Sequence, residues 1–208
     1  MRTSVRTPDA ETVEEVLKLA ARAPSFGIVP PYRWRKGNEC LELVTTRTDQ
    51  PAMLACGAVL HHVRVALSAM GWDCHVLRSG VDGQVASVHP RWELDPFSCE
   101  VASAAAISLR REDPRPYSAD EVPDSALTWL LHAAHAESCD LELVARRGGA
   151  LVRMIGNDWL RMGEAVSSVL LASTVWGLAS QAMLHEGEVL VRVGWQSPNA
   201  EPLPRSAR

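Results

Sequence analysis

Several groups of side chains have types and spacings that could do chemistry. His132, His135 and Cys139 form H-x2-H-x3-C on a segment with helical periodicity. Residues three and four apart share a helix face, so the trio could hold zinc. No fourth ligand stands near it in the sequence, histidines at the solvent edge of a helix are the plainer reading, and no metal is expected. His61 and His62 are adjacent and point in different directions: one is expected to border a groove, where a general-base role is open to it, and the other to pack. Arg161 and Glu164 have the i, i+3 spacing of a structural ion pair at the start of an apolar helix, or could border a groove. Ser167 and Ser168 read as small residues at a helix crossing. No G-x-S-x-G elbow, P-loop, dinucleotide fingerprint or zinc-protease motif occurs.

One loop is conspicuous for the chemistry it lacks. In "RAPSFGIVPPYRWR", Arg22 to Arg35, the residues Phe26 to Val29 are apolar or glycine, and Pro30 and Pro31 have no backbone N–H to donate. Such a loop is either packed under other elements or has lost the polar residues that once held a ligand.

The elements that must position these residues follow from composition and periodicity. The chain has 208 residues, 47% of them apolar and 22% charged, which suits a globular fold with a sizeable core. A formal net charge of −4 gives no electrostatic reason to expect nucleic acid or an anionic membrane as partner. No leader pattern and no bilayer-spanning apolar run is read. The five cysteines (Cys40, Cys56, Cys74, Cys99, Cys139) are odd in number and never spaced C-x-x-C. That usage points to a cytoplasmic protein whose thiols serve as small apolar residues.

Two segments recur inside the chain. "LELVTTR" at Leu41–Arg47 returns as "LELVARR" at Leu141–Arg147, and "CGAVLHHVRVALSAMGW" at Cys56–Trp72 aligns without gaps to "MGEAVSSVLLASTVWGL" at Met162–Leu178. The second register pairs Gly57 with Gly163, Val63 with Val169 and Gly71 with Gly177. A structural repeat is therefore expected, over about 9–110 and 111–195, with 196–208 as a polar tail that is draped or disordered.

Each half opens with a helix, capped by Asp9 or Thr12 in the first and beginning near Pro123–Asp124 in the second, where it runs to Ala136. Strands are expected at Leu41–Thr45, Cys74–Gly80, Glu100–Arg110, Leu141–Ala145 and Val189–Trp195. Long helices are expected at Pro51–Met70 and Asp158–Trp176, closed by Gly71 and Gly177. These two are apolar on nearly every face, so they should be buried against each other and the sheets. The fold class is α+β, with two pseudo-symmetric halves around buried central helices.

Read in order, "RAPS…PYRWR", "CGAVLHHVRVALSAMGW", "LRREDPRPYS", "WLRMGEAVSSVLLASTVWGLA" and "LVRVGW…PLPR" resemble the nitroreductase superfamily. More narrowly, they resemble its actinobacterial dormancy-associated, Acg-type branch. The resemblance spans about Ala20 to Arg205. It implies one domain, 1–208, of two nitroreductase-like halves fused as an intramolecular dimer. It also implies flavin mononucleotide (FMN) in the groove between halves, and hydride passing from NAD(P)H through the flavin to a small electron-poor substrate.

Carried over residue by residue, the resemblance implies Pro24 and Ser25 at the flavin, with Arg110, Arg111, Arg115 and Arg205 on the phosphate side. Departures stand beside these matches. Gly27, Ile28 and Pro30 replace the loop's His, Asn and Gln, Glu112 replaces a hydroxyl residue, and Pro114 replaces an Arg. One of two tail arginines is missing, and the insertion that forms a lid over the flavin is absent. The alternative expectation is a degenerate relative that has lost flavin. It would act without it as an enzyme, or bind a small molecule or a partner in an apolar groove lined by Phe26, Tyr32, Trp34 and Trp176. A homodimer fits exposed groove walls.

Overall fold

Two copies of one α-β-β-α-β-β unit make up the chain, with an extra helix between them. The computed structural model describes residues 7–37, 39–80, 83–92 and 98–197. In the first half α1 (Ala10–Ala20) is followed by β1 (Tyr32–Lys36), β2 (Leu41–Thr45), α2 (Gln50–Ala69), β3 (Trp72–Arg78) and β4 (Gln84–Trp92). The linking helix is α3 (Ser98–Leu109). The second half runs α4 (Asp124–Ala136), β5 (Asp140–Arg146), β6 (Ala150–Ile155), α5 (Trp159–Val175), β7 (Ala179–His185) and β8 (Glu188–Gly194). Each half holds a four-stranded sheet, antiparallel throughout, in the equivalent orders β1-β2-β4-β3 and β5-β6-β8-β7.

Local chemistry sets the helix ends. The carboxylates of Asp9, Asp49 and Asp158 accept hydrogen bonds from the first backbone N–H groups of α1, α2 and α5, which have no partner within the helix. Gly71 and Gly177 follow the two long helices with φ of 80° and 75°, a left-handed conformation that carries no penalty at glycine.

Packing then joins the halves. Helices α2 and α5 cross with their backbones in contact. A Cβ placed on Gly57 would lie 1.9 Å from the Leu160 carbonyl oxygen, and one on Gly163 would lie 2.1 Å from the Leu54 carbonyl oxygen. The same shift of 106 residues relates Gly57 to Gly163 and Leu54 to Leu160, so the crossing is a pseudo-twofold contact. His61 and Ser167 are related by that shift too, and they hydrogen-bond to each other at 2.8 Å, which places the pair on the pseudo-axis. The cores are exchanged across it: Leu54 of α2 packs in the core of the second half, and Leu160 of α5 in that of the first.

The structure corrects several sequence expectations. Glu100–Arg110 is not a strand but most of α3, because an alanine-rich apolar run fits a buried helix as well as a buried strand. Strands β1, β4, β6 and β7 were not expected. The "LELV" repeat aligns β2 with β5, whereas sheet order makes β2 equivalent to β6 and β1 to β5, so that match is a coincidence of strand composition. The 106-residue helix repeat is the structural one. Helix α2 is long and apolar enough, by length and composition, to cross a membrane; in the fold it is mostly buried. The turn expected at Val81–Gln84 and the tail beyond Ser197 lie largely outside the described residues.

Backbone cannot yield to a new methyl group as a side chain can, so Gly57→Ala and Gly163→Ala should each lower the unfolding free energy by about 2–3 kcal/mol. Urea denaturation of both variants checks this. A loss below about 1 kcal/mol for either would mean that the helices part at little cost.

Candidate functional site

Polar chemistry collects on one flank of the α2–α5 crossing. Glu164, fully buried on α5, accepts two hydrogen bonds from the Arg78 guanidinium (2.8 and 2.7 Å) and one from Arg64 (2.8 Å). The same Arg64 nitrogen reaches Glu137, the C-cap of α4, at 2.7 Å. Two arginines of the first half are thus neutralised by two glutamates of the second, and Glu164 does not take Arg161 as its partner. Burial works against the charge on Arg64, but Glu137 and Glu164 outweigh it and hold the guanidinium above its usual pKa. Removing one member would leave a buried charge without a counter-ion, which costs about 3–5 kcal/mol in such pairs.

His61 sits beside this network. Its Nδ1 is bound to Ser167 Oγ, and its Nε2 lies 3.8 Å from Glu137 Oε1. Burial, helped by the Arg64 charge, pushes its pKa down to about 3, so the ring is neutral. The Ser167 hydroxyl is fully buried, which leaves the Ser–His–Glu alignment no path to a substrate.

A second cluster forms at the C-terminal end of α3. Arg22, the residue after α1's cap, donates to the carbonyls of Ile107 (3.2 Å) and Ser108 (3.1 Å), and Arg111 donates to Ser108 as well (3.1 Å). Helix C-termini attract cations through their unpaired carbonyls. These bonds tie Arg22, two residues before Pro24, to the end of α3 that leads into Arg110 and Arg111. Arg110 Nη1 is buried and has no hydrogen-bond partner among the described residues, and burial, together with Arg22 and Arg111, lowers its pKa against the opposing pull of Glu112. His62, fully buried, has no hydrogen bond to either ring nitrogen among the described residues. Its pKa falls well below the usual range through burial, then His61 and Arg110, with the nearby Ala20 carbonyl opposing.

Arg115 does not join them. It chelates Asp113 through two hydrogen bonds (2.7 and 2.6 Å), and its carbonyl accepts from Arg192 on the face of β8 turned away from the core. Arg205 lies outside the described residues. The aromatics divide between the cores: Phe26 and Trp176 pack on the second core, Tyr32 and Trp34 on the first. The apolar loop is explained in part by Phe26, which inserts against the opposite half, while Val29 is 85% exposed.

The cavity of about 570 Å³ lies elsewhere, in a cleft between α3 and α4. Ser103 stands on one wall and Trp129 and His132 on the other, over a floor that includes Ser168 and Leu171, with His61 also at its lining. Helix α3 packs on α1, α2 and α5 but leaves this gap toward α4. The cleft has no signature in the sequence, where α3 carries the pattern of a buried strand as well as that of a helix. His135 pairs with Asp140 instead of facing a metal, and Cys139 is buried.

No family model matches the chain. Over 169 aligned residues it is 37% identical to a Mycobacterium tuberculosis protein named "Putative NAD(P)H nitroreductase", covering 71% of this chain and 43% of that one. Over 158 residues it is 36% identical to the Acg protein of that species, which carries the same description, covering 66% and 46%. The fold superposes on the crystal structure of a "putative nitroreductase" from Thermotoga maritima with a TM-score of 0.61 and 10% identity, covering 92% of this chain and 89% of that one. This chain's fold is nitroreductase-like. A second structure so described, from Anabaena variabilis, matches with a TM-score of 0.57 at 8% identity, over 76% of this chain and 69% of that one. The nitroreductase-like chain spans less than half the length of the mycobacterial relatives it matches.

His61 and His62 stay neutral in the fold at pH values where an unfolded chain, with histidine pKa near 6.5, takes up protons. Below pH 6.5 the unfolded state therefore binds more protons, and stability falls with pH by up to ~1.4 kcal/mol per pH unit for each histidine. Chemical denaturation at pH 7, 6 and 5 should show this fall, and His62→Leu should roughly halve its slope. A flat profile between pH 7 and 5 would mean that neither ring is held neutral.

Proposed function

We propose that this nitroreductase-like chain takes up FMN as a dissociable ligand, gripping the phosphate and not the ring, and works as an NAD(P)H-linked oxidoreductase on small electron-poor acceptors. The observation that carries the reading is Arg110 Nη1, buried without a partner between Arg22 and Arg111. A buried donor left unpaired costs about 1–3 kcal/mol, and an anion at that point removes the cost. The relatives' names supply the NAD(P)H nitroreductase activity.

The residues present fit the phosphate end of the group. Arg110 would donate to the phosphate, Arg22 and Arg111 would add positive charge, and Pro24 and Ser25 follow Arg22 closely in the chain. Glu112 weakens the grip by its own charge, and Arg115 is occupied by Asp113. On the ring side the loop offers Gly27, Ile28 and Pro30, none with a side-chain hydrogen bond to give. Bound FMN would supply the hydride relay between NAD(P)H and the acceptor. The protein's part is to hold the phosphate and exclude water from the loop through Phe26, and no side chain is required as acid or base.

Titration of FMN and riboflavin, followed by flavin fluorescence, tests this. FMN should bind reversibly and about 10–100-fold more tightly than riboflavin, the worth of one charge-assisted contact. Arg110→Ala should remove that preference, and Glu112→Thr with Ile28→Asn should tighten FMN about tenfold. Equal affinity for the two flavins, or no affinity for either, would overturn the reading.

A further inference from the structure

The cleft between α3 and α4 belongs to neither the arginine cluster nor the buried ion network. Its volume of about 570 Å³ falls within the ~300–1,000 Å³ of small-molecule sites. Among the described residues, no Asp, Glu, Lys or Arg lines it. An ion entering would lose hydration without a counter-charge, so charged ligands are disfavoured. Trp129, 51% exposed on α4, offers an aromatic surface, and Leu171 and Val175 an apolar floor, with alanines where larger side chains would close the slot. Ser103, His132 and Ser168 face it from three different helices, and none has an intramolecular hydrogen bond among the described residues. A few unpartnered polar groups converging on an apolar slot are the usual design of a site that orients a small neutral molecule.

We infer that this cleft binds an uncharged, flat aromatic molecule of about two fused rings that carries a hydrogen-bonding substituent. The rings lie against Trp129 and Leu171, and the substituent meets the Ser103, His132 and Ser168 groups. The site is separate from the anion-binding end at Arg110 and does not depend on flavin. Low charge at the wall supports this choice, since the buried His61 that lines it is neutral. The asymmetry of the fold explains why the site exists once: α3 fills the α1 side of the crossing and leaves the α4 side open.

The test is calorimetric titration at pH 7 with 2-naphthol, which is neutral, and 2-naphthoate, which has the same rings with a negative charge. The expected result is one site per chain for 2-naphthol, at least tenfold tighter than 2-naphthoate. Trp129→Ala, at an exposed position that tolerates truncation, should weaken 2-naphthol about tenfold, while Trp159→Ala, outside the cleft, should leave it unchanged. Arg110→Ala should also leave it unchanged, which separates this site from flavin binding. Equal binding of the charged compound, indifference to Trp129, loss in Arg110→Ala, or no binding at 1 mM would each overturn the proposal.

Discussion

Everything in this fold hangs on the backbone contact between α2 and α5 at Gly57 and Gly163. Only glycine lets two helix backbones approach to where a Cβ would overlap a carbonyl. Once the helices are that close, Leu54 and Leu160 reach past the crossing into the opposite cores, and His61 and Ser167 meet on the pseudo-axis. The two sheets then have fixed positions relative to one another. The geometry resembles an obligate dimer interface, with the difference that both partners belong to one chain.

Symmetry is kept in the backbone and broken in the side chains. Where α5 has Glu164, the equivalent position of α2 is Ala58, and where α2 has Arg64, α5 has Leu170. One flank of the crossing therefore carries a neutralised ion network, and its counterpart is apolar. Helix α3 adds a second asymmetry, since it leans on α1 and leaves the α4 side uncovered. Sites in this molecule arise where the twofold fails: the arginine cluster at one end of α3 and the cleft along its side.

Much of the architecture was legible because it rests on local signals. The aspartate caps, the glycine stops and the two helices apolar on nearly every face stand in the sequence, and their ungapped match already contains the crossing geometry. Of the four strands that the sequence pattern does not mark, β1 and β6 are short, at five and six residues, whereas β4 runs nine and β7 seven without an alternating burial pattern. Helix α3 is not legible as a helix, since periodicity alone does not separate a buried helix from a buried strand. The partners of Glu164 lie 100 and 86 residues away, at Arg64 and Arg78, while the nearby Arg161 has the right spacing and is not used. Arg110 and Arg115 look equivalent in sequence, but Asp113 captures one and burial isolates the other. Only the fold distinguishes them.

The exchange of Leu54 and Leu160 has a consequence during synthesis on the ribosome. The first half is made with its core one leucine short, and the surface of α2 that should meet α5 has nothing to cover it. Chains grow at roughly 5–20 residues per second, so the hundred or so residues still to come keep that apolar helix bare for about 5–20 s. A nascent segment of this kind is what chaperones bind and what aggregates when they are scarce. Fusing two subunits removes the need to find a partner by diffusion. In its place stands an interval in which the early half must wait for the late one.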